Sequence, residues 1–232
     1  MPNRAFFLDF FTKSTVPITF FVVLKCLWYT LCGMNANDTI IVMGRSGSGK
    51  GTQINLLKEY LQTEHPEFNI FHFESGKHFR NFIKGEGYTS EIMREVIAQG
   101  TLAPDFITEW LLSDAFVKNM TKEEQLLILD GFPRTKNQAY TLDSAMDYYK
   151  RTNIYVIHID VSEDEVRRRM IERGRSDDTN IDVINSRIQW YNDNVIPTLK
   201  YFESQDQYHV VHINGEQEID SVHNDIISAF NL

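Results

Sequence analysis

Between residues 44 and 53 the chain reads Gly-Arg-Ser-Gly-Ser-Gly-Lys-Gly-Thr-Gln. Small residues surround one lysine, and a hydroxyl follows it. Glycines let a backbone curl until successive N–H groups point at one anion, and a helix beginning there adds positive potential. Gly47, Ser48, Gly49, Gly51 and Thr52 are therefore candidate phosphate ligands, with Lys50 as a compact cation across the β- and γ-phosphates of a nucleoside triphosphate. The register is slightly unusual, because Gly51 stands where Ser or Thr normally follows the lysine and Thr52 supplies the hydroxyl instead. GTPases, ATPases and small-molecule kinases all use such a loop, so the second substrate must be read elsewhere.

Three further segments carry chemistry. Leu-Asp-Gly-Phe-Pro-Arg-Thr-Lys-Asn-Gln occupies 129–138, Glu-Ser-Gly-Lys-His-Phe-Arg occupies 74–80, and Arg169, Arg173, Arg175 and Arg187 follow further on. Arginine is always charged and grips phosphate bidentately, which suits phosphoryl transfer, where positioning and positive charge do most of the work. Asp130 suits a carboxylate that holds magnesium through water.

These residues need a scaffold, and the pattern supplies one. Short β-rich runs at 39–43, 70–73, 126–129, 154–160 and 208–213 alternate with helical stretches. Ile54, Leu57 and Leu61 share one helix face; Val166, Met170 and Ile171 fit a second; Ile184, Ile188, Tyr191 and Val195 fit a third. Ser162-Glu-Asp-Glu165 reads as a capping box opening the second of these. Strands separated by helices predict a parallel sheet covered on both faces, with ligands at the carboxyl ends of the strands. Arg167 and Arg168 read as solvated charges.

The loop together with Asp-Gly-Phe-Pro-Arg-Thr-x-x-Gln and the arginine set resembles the nucleoside monophosphate kinases, and the adenylate kinase family in its short-lid form most closely, over about residues 37 to 228. The resemblance implies a P-loop NTPase fold: a five-stranded parallel sheet with helices on both faces, a helical monophosphate-binding insertion (about 75–105) and a short lid (about 173–182). It implies reversible transfer from ATP to AMP giving two ADP, with magnesium and no zinc. Lys50, Arg134, Arg173, Arg175 and Arg187 become the catalytic set, and Arg169 stacks on the adenine of ATP. Ser75, Gly76, Arg80, Gly131, Arg134 and Gln138 hold AMP. Gln138 can pair with the N1 and N6 edge of adenine, where UMP/CMP kinases tend to carry asparagines, and 100–105 lines the base. A UMP/CMP kinase and a non-catalytic ATP/AMP-sensing module are the rival readings.

Departures from the family pattern carry expectations of their own. Ser46 replaces a proline, Ser75 a threonine, and Lys77 an aspartate, the last reversing charge close to magnesium and the monophosphate. The stretch 173–178 is shorter than compact lids of the family, and closure would rest on a small flap that excludes water. Asp177 and Asp178 either organise that flap and magnesium waters or cap the next helix.

Composition bounds the rest. The chain has 232 residues, 42% hydrophobic and 24% charged, with a formal charge of −9, which excludes disordered and fibrous classes and disfavours a nucleic-acid surface. Cys26 and Cys32 are its only cysteines, too few for a disulfide framework or a four-cysteine zinc site. Both lie in the first 34 residues, an apolar extension preceding a kinase domain at 35–232. Residues 16–32 are largely apolar, with Lys25 as their only charge, and short of the roughly 20 apolar residues a bilayer span needs. Two readings compete: a marginal membrane anchor, or a start codon set too early with Met34 opening the working protein. The second makes the protein cytoplasmic, and a monomer is the family expectation. His65, His72 and His158 read as structural or exposed, and Trp110 and Trp190 as helix packing.

Overall fold

The computed structural model describes residues 34–99, 101–174 and 180–230. Two compact units divide the chain: Asn35–Ala229, and Met1–Met34 with Phe230–Leu232. Nearly all of the second lies outside the described residues, and with it the apolar extension and both cysteines. Residues 175–179, half of the expected lid and including Arg175, Asp177 and Asp178, also fall outside them.

Five parallel strands form one sheet: β1 (Thr39–Met43), β2 (Ile70–Glu74), β3 (Leu126–Asp130), β4 (Ile154–Asp160) and β5 (Tyr208–Asn214), in the order β2-β3-β1-β4-β5. Every residue of β1 and the first four of β3 are buried. That is why Thr-Ile-Ile-Val-Met and Leu-Leu-Ile-Leu run apolar without alternation: each face of the sheet is covered. The helices are α1 (Lys50–Glu64), α2 (Ser75–Phe82), α3 (Tyr88–Ala98), α4 (Asp105–Asn119), α5 (Lys136–Tyr148), α6 (Glu163–Arg173), α7 (Ile181–Trp190), α8 (Ile196–Glu203) and α9 (Ile219–Ala229). Ile54, Leu57 and Leu61 are buried on α1 as their spacing predicts, and so are Ile184, Ile188, Tyr191 and Val195.

Two expectations needed correction here. Val166 and Met170 are buried, but Ile171 is 58% exposed, because one further residue turns the side chain about 100° off the buried face of α6. The third apolar face is not one regular helix either: Tyr191–Val195 forms a π-helical turn between α7 and α8. Among the described residues, no helix is long and apolar enough to cross a membrane.

Register places the site. Val42 of β1 and Glu74 of β2 both pair with Asp130 of β3, and Met43 pairs with His158 of β4. The carboxyl ends of four strands therefore meet one edge, and the loops after β1, β2 and β3 open there together. The opposite edge is tied by Arg151, buried at 5% exposure, which donates to Thr39 Oγ1 (2.7 Å) and the carbonyls of Asp38 (2.7 Å) and Gln125 (2.6 Å). Burial pulls its guanidinium down to about 10, with the Asp38 carboxylate acting the other way. The loops at one edge thus sit on a sheet anchored at the other.

Candidate functional site

The loop after β1 turns into α1 through Gly49, which adopts a left-handed conformation (φ 92°) as N-cap residue. Gly47 is also left-handed (φ 87°), and a Cβ there would meet the Val166 carbonyl at 3.1 Å and Met170 Cγ at 3.0 Å. Only glycine lets this loop lie on α6. Lys50 Nζ donates to the carbonyls of Gly44 and Arg45, each at 2.8 Å, so the cation is held by the loop's own backbone. Arg45 in turn braces the loop. Its guanidinium donates to the Val161 carbonyl (2.9 Å), Asp160 Oδ1 (3.3 Å) and Asn192 Oδ1 (3.2 Å) and lies 4.7 Å from the centre of the Tyr191 ring. Beneath it, the Tyr191 hydroxyl and His158 Nε2 are 2.7 Å apart, and burial pulls His158 down to about 4.

The loops after β2 and β3 interlock. Ser75, buried at the start of α2, donates from its hydroxyl to the Gly131 carbonyl at 2.9 Å. Arg134 donates through Nε to the same carbonyl (2.7 Å) and through Nη2 to Ser75 Oγ (3.3 Å). Gly131 has φ 71°, and a Cβ there would sit 2.7 Å from Ser75 Oγ and 2.9 Å from Arg134 Nη2. Burial lowers the Arg134 guanidinium, the Asp130 carboxylate raises it, and Arg187 lowers it again. The Asp130 carboxylate makes no hydrogen bond or ion pair with another described residue, which leaves its lone pairs for water or a ligand.

Gln138 is 1% exposed and its amide is oriented by two groups. Its Oε1 accepts from the Arg134 N–H at 2.8 Å, and its Nε2 donates to Asp105 Oδ1 at 2.8 Å. A backbone N–H can only donate and a carboxylate only accept, so the amide has one sensible orientation. One N–H and one lone pair remain. Asp105 also accepts from Thr135 Oγ1 (2.9 Å) and Asn137 Nδ2 (3.2 Å), tying the start of α4 to the start of α5.

All of this surrounds one cavity of about 880 Å³ over the strand ends. Gly47, Ser48, Gly49, Lys50, Gly51, Thr52, Ser75, Gly76, Arg80, Asp130, Gly131, Arg134, Gln138, Arg169, Arg173 and Arg187 all line it. Of the residues singled out from sequence as the site, only Arg175 is missing, and it lies outside the described residues. Arg169 donates to Glu165 Oε1 (2.6 Å) and to the Gly215 carbonyl (3.0 Å), which fixes its plane at the cavity wall. Ser46 receives a bond from Arg173 Nη2 at 3.5 Å, so the serine that replaces proline offers the arginine a hydroxyl. Arg167 and Arg168 do not line the cavity and are ion-paired to Asp164, Glu165 and Glu172 along α6. The capping box is half realised: Ser162 Oγ accepts from the Glu165 N–H, but Glu165 goes to the arginines and Glu216 Oε1 takes the Ser162 N–H instead.

Three expectations change. Lys77 is exposed and absent from the cavity lining, because one helical step past Gly76 turns it outward. His72, read as structural or exposed, is half-buried and lines the cavity; its Nε2 is buried with no hydrogen-bond partner among the described residues, and burial lowers its pKa. Trp110 is 51% exposed rather than packed, meeting Phe82 edge-on, whereas Trp190 lines the cavity. The sequence reading missed Arg45, Glu74 and Asp105. A charged residue inside a glycine-rich loop was the available signal for the first. Glu74 and Asp105 lie in segments read as part of the site, but their side-chain roles gave no signal: Arg80 is returned to Glu74 only by the fold of α2, and the partners of Asp105 lie about 30 residues on.

Comparison with known proteins agrees with the geometry. The family model for adenylate kinase matches residues 42–207. The adenylate kinase of Flavobacterium psychrophilum is 31% identical over 185 residues, covering 78% of this chain and 93% of the relative. The chain is also similar to UMP-CMP kinase 3 of Oryza sativa (28% identical; 90% of this chain, 93% of the relative) and to uridylate kinase of Saccharomyces cerevisiae (30%; 83% and 90%). With this sheet order, this loop and this match, the chain belongs to the adenylate kinase family and is a nucleoside monophosphate kinase, a phosphotransferase.

Proposed function

We propose that the protein transfers the γ-phosphoryl group of ATP reversibly to AMP, giving two ADP. The observation that carries AMP over other monophosphates is the orientation of Gln138. Held by Asp105 and the Arg134 N–H, it keeps one donor and one acceptor, the pair that the N1 and N6 edge of adenine requires.

The remaining roles are proposed from residue type and, for all but Arg175, supported by a place in the cavity lining. The N–H groups of 47–52 and Lys50 take the triphosphate, with Lys50 released from two backbone carbonyls onto phosphate oxygens. Arg169 offers its plane to the base of ATP. Arg80 and Arg134 take the monophosphate's phosphate, and Arg173, Arg175 and Arg187 neutralise charge on the transferring group. The segment 75–105 is read as the monophosphate-binding insertion and 173–182 as the lid. The donor set fits magnesium: the Asp130 carboxylate, not hydrogen-bonded or ion-paired to another described residue, and the Thr52 hydroxyl both line the cavity, and hard oxygen ligands with retained water are what that ion takes. When bound, magnesium supplies charge neutralisation on the phosphates. A cytoplasmic monomer is the setting that we propose with this activity.

Coupled ADP production from ATP with AMP, UMP, CMP and GMP in parallel tests the reading. AMP should give the highest kcat/KM. The similarity to UMP-CMP and uridylate kinases makes the pyrimidine arms informative, and a best rate with UMP or CMP overturns the adenine assignment.

A further inference from the structure

Two arginines reach the monophosphate side of the cavity, and they are held differently. Arg134 donates to a carbonyl and a hydroxyl, both neutral. Arg80 donates through Nη2 to Glu74 Oε1 at 2.6 Å, a charge-assisted bond. Glu74 ends β2 and pairs in register with Asp130, so the sheet fixes its place at the strand edge. Gly76 lets Arg80 fold back over the first turn of α2; a Cβ at 76 would lie 3.0 Å from Arg80 Nη1. Glu74 and Arg80 both line the cavity, so the carboxylate occupies guanidinium donors that a phosphate would otherwise take.

Resting on the assignment of Arg80 to the monophosphate, we propose that Glu74 sets the affinity for that substrate by competing with its phosphate for Arg80. A phosphate dianion approaching Arg80 meets a carboxylate already there. Either the guanidinium exchanges one anion for the other, or two anions share it at close range, and both cost binding energy. The Arg80 side chain is 52% exposed and that of Glu74 33%, so solvent screening keeps the effect moderate, about three- to tenfold in KM. Lys50, Arg169 and the loop after β1 lie on other elements, so the triphosphate escapes this competition. The enzyme is thereby tuned to respond to high monophosphate concentrations.

Glu74→Gln removes the charge while keeping the shape and an acceptor for Arg80. With the monophosphate that the wild-type enzyme prefers, its KM should fall about three- to tenfold, while KM for ATP changes less than about twofold. The double variant Glu74→Gln/Arg80→Ala, compared with Arg80→Ala alone, should lose most of that gain, because the competition runs through the guanidinium. A KM that rises or stays put in Glu74→Gln means the carboxylate orients Arg80 or does nothing, and overturns the proposal. A gain that persists undiminished without Arg80 also overturns it. If Glu74→Gln does not fold, Glu74→Asp shortens the reach and should lower KM in the same direction by a smaller factor; no decrease counts against the proposal. Wild-type protein that phosphorylates no monophosphate would sink the kinase assignment itself, whereas an active wild type with an unresponsive Glu74→Gln sinks only this inference.

Discussion

The two sides of the cavity are built on different principles. On the side assigned to the triphosphate, Lys50 rests on carbonyls five and six residues before it, and Arg45 takes the Val161 carbonyl among its partners. On the side assigned to the monophosphate, side chains hold side chains: Glu74 holds Arg80 six residues on, and Asp105 holds Gln138, Thr135 and Asn137 about 30 residues on. Backbone carbonyls are present whatever the residue, so the first arrangement depends on chain path and a few glycines. The second depends on the identity of each partner. The difference teaches where substrate preference can be altered cheaply: on the monophosphate side, where one substitution changes what an arginine or an amide sees.

The largest expected effects test whether the two sides share one reaction. Lys50→Ala and Arg134→Ala should each lower turnover by about two to three orders of magnitude, since each removes a fixed cation from around the transferring phosphoryl. Steady-state kinetics with both substrates varied would show it, and a near-wild-type rate in either would break the shared site into two unrelated ones. Asp105→Asn should act on one side only. It removes the carboxylate charge and turns one of its two accepting oxygens into a donor, which loosens the hold on Gln138, so KM for AMP should rise about fivefold with KM for ATP nearly unchanged. Equal changes in both KM values would mean Asp105 serves the fold and not the base.

The smallest effect concerns stability beneath the triphosphate side. His158 is 4% exposed and its pKa is pulled down to about 4 by burial. The unfolded chain, titrating near 6.5, binds the extra proton first, so stability is full above about pH 6.5 and declines as pH falls towards 4. The loss should be about 2–3 kcal/mol across that window, and His158→Gln should show a shallower decline in urea denaturation at pH 7 and pH 4.5. Parallel declines in the two proteins would move the pH sensitivity to His72, His78 and His223, whose pKa values burial also lowers.

Strand positions, sheet direction and the phosphate loop were legible because each depends on near neighbours. Unbroken apolar runs mean a sheet covered on both faces, and a glycine cluster around a lysine admits few conformations. Gln138, singled out as the residue for the adenine edge, lines the cavity, yet that both ends of its amide are held could not be read, because Asp105 is 33 residues away. Ile171 was misplaced because, one position past Met170, it points about 100° away from the narrow buried stripe of α6. His72 looked like any strand residue until the sheet order placed β2 beside β3 and opened one side of it to the cavity.

By itself the sequence determined the loop, the alternation of strand and helix, and the residues that can bind phosphate, since these rest on backbone freedom and period. Only the tertiary structure decided which partner each of them meets. The pairing of β2 with β3 puts Glu74 level with Asp130, and the first turn of α2 returns Arg80 to Glu74. An ion pair between two residues of opposite charge is cheap to draw in any sequence. Whether it forms, and whether it stands where a substrate's charge must go, depends on the strand order that carries both residues to one edge.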